Sequence, residues 1–177
     1  MSVNCDGRSA MEGQLERIEP DDLTHPDIIE LLREHVRSAA QYSPPESVHA
    51  LDIEELRQPG ITFWTARRGD DLLGCCALKQ LDARHGEIKS MRTATAHLRK
   101  GVAGRLLAHL LGEAVRRGYH RVSLETRSME AFAAARSLYA CFGFQQCGPF
   151  ADYTDDSYSV FMSKQLAPGD LTACNPS

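Results

Sequence analysis

The sequence predicts an α/β (α+β) fold in which a mixed sheet carries helices on both faces. Three observations predict it. Residues 61–93 form three β-rich runs separated by tight turns, the pattern of an antiparallel meander. An apolar stripe with helical spacing begins at Val102. Strand-like runs resume at Arg121, Phe144 and Tyr158, with a helical segment between the first two. The helix ahead of Arg121 permits a parallel crossover, so the sheet is mixed.

The elements follow in order. Gln14 to Ile18 is a short first strand, after a loose tail over 1–13. Thr24-His25-Pro26-Asp27 opens a helix with Pro in its first turn. Ile28, Ile29, Leu32, Val36 and Ala39 then recur at helical spacing up to Tyr42-Ser43-Pro44-Pro45. A second short helix covers Leu51 to Arg57 and stops at Pro59-Gly60. The meander strands are Ile61 to Arg67, Leu72 to Leu81 and Glu87 to Thr93. Val102, Ala103, Leu106, Leu107, Leu110, Leu111, Ala114 and Val115 make the apolar stripe of the long helix, which Gly118 ends. Arg121 to Thr126 is a strand, Met129 to Phe142 a helix, and Phe144 to Phe150 and Tyr158 to Lys164 the last strands. A tail follows from Ala167 to Ser177, which leaves one domain over 14–166.

Composition narrows the function. The 177 residues carry 20 Lys+Arg against 24 Asp+Glu, a formal charge of −4. Binders of nucleic acid or of membrane surfaces are usually basic, so neither partner is expected. No run approaches the roughly 18 apolar residues that span a bilayer. The start lacks the apolar core of a signal peptide. The six cysteines include no CxxC pair and no zinc spacing, so reduced thiols in a cytoplasmic protein and no metal are expected.

The informative segment is Glu87-Ile-Lys-Ser-Met-Arg-Thr followed by Leu98-Arg99-Lys100-Gly101-Val102-Ala103-Gly104-Arg105. A strand runs through a loop into a long helix. Glycine lets a ligand approach the backbone, and the first amides of a helix lack internal partners. With the helix dipole they suit a phosphate or diphosphate, and Arg99, Lys100 and Arg105 add positive charge. An ordinary loop before a basic helix is the alternative. A Walker loop is excluded because GxxxxGK[ST] is absent. A Rossmann loop is disfavoured because this one follows a meander.

Two blocks resemble the GNAT superfamily of acetyl-CoA-dependent N-acetyltransferases. Leu98 to Ala103 is similar to its pyrophosphate loop, Gln/Arg-x-x-Gly-x-Gly/Ala. Ala135-Arg-Ser-Leu-Tyr139-Ala-Cys-Phe-Gly143-Phe144 is similar to its A-x-x-L-Y-x-x-x-G-F helix. The Glu87–Thr93 strand and Gly148 to Tyr153 look like small bacterial members. The resemblance implies a mostly antiparallel central sheet of about six or seven strands. It implies acetyl-CoA as co-substrate, held along Met91, Arg92 and Thr93 and around Arg99, Lys100, Gly101, Val102, Ala103 and Gly104. Thr126, Phe132 and Ala135 would flank it. Leu98 and Phe132 depart from the family pattern, where Gln/Arg and Asn are usual.

The resemblance also implies roles. Glu87, in phase with Lys89 and Met91 along its strand, is similar to the family's general base. A strand-start Glu paired with Lys89 or solvent is the alternative. Tyr139 is similar to the tyrosine that protonates the leaving sulfur, and core packing is its alternative. A backbone N–H near Met91 would stabilise the oxyanion. Tyr42, His49, Asp152 and Tyr153 are candidates for binding a small-molecule amine, with solvated loop positions as the alternative. Acetylation of a protein amine and a non-catalytic acyl-CoA sensor remain open beside this. A sheet edge near the C-terminal strands leaves room for a homodimer.

Overall fold

The computed structural model describes residues 16–42 and 53–167. Tight turns fold residues 61–93 back on themselves and give the antiparallel strands β2 (Ile61–Arg68), β3 (Asp71–Asp82) and β4 (His85–Thr93). Strand β1 (Glu16–Pro20) extends this meander along β2. Helix α1 (Pro26–Tyr42) and the short α2 (Ile53–Leu56) precede the meander. Helix α3 (Val102–Arg116) then carries the chain across the sheet to β5 (Arg121–Arg127), which lies parallel to β4. Helix α4 (Ala133–Cys141), β6 (Gln145–Cys147) and β7 (Ser159–Gln165) complete the described chain. The seven strands run β1-β2-β3-β4-β5-β7-β6, and β4–β5 is the one parallel pair among them.

Strand alternation divides the apolar residues into two layers. On one face Leu106, Leu107, Leu110 and Ala114 of α3 pack on Ala66, Cys76, Leu78, Ile88, Val122 and Leu124, with Tyr139 and Phe144 beside them. On the other, Ile28, Leu31 and Leu32 of α1 and Leu56 of α2 cover Phe63, Cys75 and Ala77. The adjacent Cys75 and Cys76 therefore point to opposite faces, both as free thiols. Helix α3 sits close to the sheet because Gly74 lies beneath it. A Cβ there would be 2.5 Å from Arg92 O and 3.1 Å from Val102 Cγ1.

Several element boundaries differ from those expected. The helix expected over 129–142 is a 3-10 turn, Glu130–Phe132, followed by α4. The strand expected over 144–150 shrinks to β6. Phe144 instead donates its N–H to Tyr139 O and is buried in the core, and Gly148-Pro149 ends the pairing. The expected first strand is met by β1 over 16–18 and runs on to Pro20; Gln14 and Leu15, with the tail over 1–13, lie outside the described residues. So do Leu51 and Asp52 of the expected second helix, and the C-terminal tail beyond Ala167.

A charged staple ties α1 to the sheet. Arg67 on β2 donates to both Asp27 carboxylate oxygens, at 2.7 and 2.9 Å. The Arg67 guanidinium holds the Asp27 carboxyl down at about 2. Arg67→Met should cost about 2 kcal/mol at pH 7, because Asp27 loses its two-pronged guanidinium partner in a partly buried place and keeps His25 Nδ1 at 2.6 Å. A depressed carboxylate contributes stability that is complete above its unfolded pKa, about 3.9, and lost as pH falls toward the folded value. Urea unfolding should thus show a wild-type advantage at pH 7 that fades by about pH 2.

Candidate active site

The parallel pairing of β4 and β5 stops early. Registered pairs run from His85↔Arg121 to Ile88↔Leu124. Beyond them β4 continues to Thr93 and β5 to Arg127 without pairing to each other, so the sheet opens between them. A bulge on β4 accompanies the opening. Ala77 faces Lys89 and Cys75 faces Arg92, so Cys76 alone opposes Ser90 and Met91. Ser90 takes a φ of 50°, and its carbonyl accepts a hydrogen bond from Cys75 Sγ at 3.4 Å. Such an extra residue re-aims the strand beyond it.

The bulge corrects one expectation. Glu87, Lys89 and Met91 are not all in phase. Lys89 stays with Glu87, whereas Met91 packs against the α3-side core, where Tyr139 Oη lies 3.7 Å from its sulfur.

The loop after β4 leads to the start of α3. A 3-10 turn, Thr95–His97, is fixed by His97 Nε2 at 3.0 Å from Asp71. Arg99 has φ 58°, and Gly101, at φ 76° and ψ 7°, caps the helix without any side-chain hydrogen bond. The first amides of α3, at Val102, Ala103 and Gly104, therefore lack both intrahelical and side-chain acceptors. A Cβ on Gly104 would meet nothing within 4 Å. Val102 is buried in the core and Arg99 is exposed. Lys100 Nζ donates to Ala96 O at 2.9 Å, while Arg105 binds Glu16 Oε1 at 2.7 Å and Lys100 O at 3.1 Å. The basic side chains thus brace the loop, and the groups left open toward an anion there are chiefly backbone amides. Leu98 is 53% exposed beside it. Thr126 lies on β5, Phe132 ends the 3-10 turn, and Ala135 packs on the core from α4.

Glu87 lies just before the opening, 2% exposed. Its Oε1 accepts hydrogen bonds from Tyr153 Oη at 2.6 Å and from Lys89 Nζ at 3.2 Å. Lys89 also donates to Tyr153 Oη at 2.6 Å. Tyr153 arrives from the loop between β6 and β7 and is held by ring contacts with Phe150 and Phe161, at 5.1 and 5.4 Å. Burial and then the Glu87 charge push its phenol well above the usual range, so it stays protonated. Tyr139 is buried at 8%, edge-on to Phe144, and burial raises its phenol too. Below the opening, Arg121 donates to His85 Nδ1, which leaves Nε2 as donor to Ser123 at 2.7 Å.

The structure thus brings Glu87 and Tyr153 together and leaves Asp152 exposed in the adjoining loop. The Tyr42 side chain and all of His49 lie outside the described residues. Sequence reasoning missed Glu125 and Arg127 on β5. Glu125 accepts from Ser159 Oγ at 2.8 Å, and Arg127 is 5% exposed. Their continued alternation past Leu124 was the available signal. No described helix is long and apolar enough to cross a membrane. No cluster of His, Cys, Asp or Glu among the described residues is arranged to hold a metal ion.

The acetyltransferase (GNAT) family pattern matches residues 27–144. The chain is 60% identical over 149 residues to the uncharacterised N-acetyltransferase YsnE of Bacillus subtilis, covering 84% of this chain and 99% of that protein. It is 50% identical over 149 residues to the uncharacterised N-acetyltransferase YedL of Escherichia coli, covering 84% of this chain and 94% of that one. A Bacillus subtilis acetyltransferase solved in complex with CoA shares the fold at TM-score 0.64. It is 19% identical, and the match covers 86% of this chain and 100% of that one.

Proposed function

The chain belongs to the GNAT acetyltransferase family, and on that premise we propose that it moves the acetyl group of acetyl-CoA to a primary amine of a small molecule by direct attack. The observation that carries this reading is the opening between β4 and β5, with uncapped α3 amides beside it and the Glu87 carboxylate at its base. The residues present fit the co-substrate. The Val102–Gly104 amides suit its diphosphate, and the open side of Gly104 leaves room for it. The unpaired edge of β4 over Met91, Arg92 and Thr93 offers backbone groups to its amide-bearing arm. The deep burial of Glu87 supports a small acceptor rather than a folded protein surface.

A lysine-like amine has a pKa near 10.4, so about one molecule in 10³ is neutral at pH 7. Glu87 takes the role of base for the remainder. Tyr139, protonated and beside Met91, donates to the departing sulfur, and a backbone N–H near Met91 receives the oxyanion. Tyr139→Phe should lower kcat by roughly 10²-fold with CoA affinity unchanged. Among the described residues its hydroxyl bonds only to a thioether, at 3.7 Å, so the fold should tolerate the change. Turnover equal to wild type would return Tyr139 to the core. The reading itself is tested by thiol release from acetyl-CoA across a broad panel of primary amines. CoA binding without amine-stimulated release would favour the acyl-CoA sensor.

A further inference from the structure

Glu87 does not meet the opening directly. Its Oε1 is already engaged by Tyr153 and Lys89, and the carboxylate is 2% exposed. Tyr153 and Lys89 are both partly buried, and the Tyr153 oxygen is bonded to Lys89 and to Glu87. The Glu87 oxygen is therefore already covered by the phenol, which stands as a ready intermediary for a proton. We propose that Tyr153 is a catalytic residue that relays the acceptor's proton to Glu87, and that Lys89 is a positioning residue for its hydroxyl. This rests on the N-acetyltransferase reading above.

The protons balance. The ammonium acceptor gives a proton to Tyr153 Oη as the Tyr153 proton passes to Glu87 Oε1, so the phenol is regenerated and Glu87 becomes neutral. The freed amine nitrogen forms the C–N bond to the acetyl carbon, and the C–S bond breaks. Tyr139 protonates the sulfur and recovers a proton from the new amide nitrogen, and Glu87 later releases its own to solvent. A relay suits this phenol better than an ionised base would. Burial, the Glu87 charge and Glu125 on β5 all oppose phenolate, while Arg127 favours it more weakly. Lys89 stands 5.3 Å from the Tyr153 ring centroid and donates to its oxygen, which fixes the hydroxyl toward Glu87.

The test uses the full chain, acetyl-CoA and tyramine, putrescine, lysine and cadaverine as amine probes. At pH 7, Tyr153→Phe should lower kcat by roughly 10²-fold while CoA affinity by calorimetry holds. The deficit should shrink as pH approaches the amine pKa near 10, where the acceptor arrives neutral. The Tyr153→Phe/Glu87→Gln double variant should lose no more than the worse single one, because both changes break one relay. Lys89→Met, which keeps the phenol, should lower kcat by roughly tenfold with the same recovery at high pH. If Tyr153→Phe does not fold, Lys89→Met carries the test alone. A pH-independent deficit, or losses that multiply in the double variant, would overturn the relay. A slow Glu87→Gln beside a fully active Tyr153→Phe would overturn it while keeping Glu87 as base. Wild type that releases thiol with none of the four amines would overturn both the relay and the activity it rests on.

Discussion

Gly104→Asp should raise the Kd for CoA by roughly 10²-fold or more while leaving the protein at least as stable. Gly104 is the third residue of α3, its φ is not positive, and a Cβ there meets nothing within 4 Å. A side chain can therefore be added without strain. An aspartate in the first turn of a helix is favoured by the dipole, by about 0.5 kcal/mol. The same carboxylate competes for the uncapped amides and repels a diphosphate. Folding and binding thus move in opposite directions, which separates this variant from a merely damaging one. Gly104→Ala is the control. It should gain about 1 kcal/mol of helix propensity and weaken CoA far less. Calorimetry with CoA and thermal unfolding check both arms. Wild-type affinity in Gly104→Asp would remove the backbone anion site from the account.

The second large effect is expected at Glu87. Glu87→Gln should lower kcat by roughly 10²–10³-fold at pH 7, with a smaller loss toward pH 10 and little change in CoA affinity. An unchanged pH–rate profile would remove Glu87 as base. Stability adds a second reading. Gln at 87 takes one carboxylate from the Lys89 ammonium, only 9% exposed, while its bond to Tyr153 Oη stays, at a cost of about 2 kcal/mol. The Glu87→Gln/Lys89→Met double variant removes that buried charge and should recover most of the lost stability. Its activity should stay low. Urea unfolding of the two variants therefore distinguishes a lost base from a lost fold.

Parts of this design were legible because they are local. The α3 stripe from Val102 to Ala114 reports its own buried face. The turns at Gly69-Asp70 and Ala83-Arg84 force the meander, and Gly101 and Gly104 stand at the start of the helix they open. Helix α4 and the Tyr139–Phe144 contact follow from one short block. Other parts were not legible. The bulge at Ser90 and Met91 depends on how β3 and β4 are registered, so the expectation that Glu87, Lys89 and Met91 share a face failed at Met91.

The sequence by itself determined the mixed sheet, the crossover helix and the uncapped amides at its start, because each follows from backbone preference and apolar periodicity within some fifteen residues. Only the tertiary structure decided what surrounds Glu87. Tyr153 reaches it from 66 residues away, carried by a loop that aromatic contacts hold against the sheet. No local pattern encodes that meeting, since a hydrogen bond between distant segments is fixed by strand order and packing. The candidate base, Glu87, can be read from β4 alone, while the hydroxyl and ammonium that surround it depend on the fold.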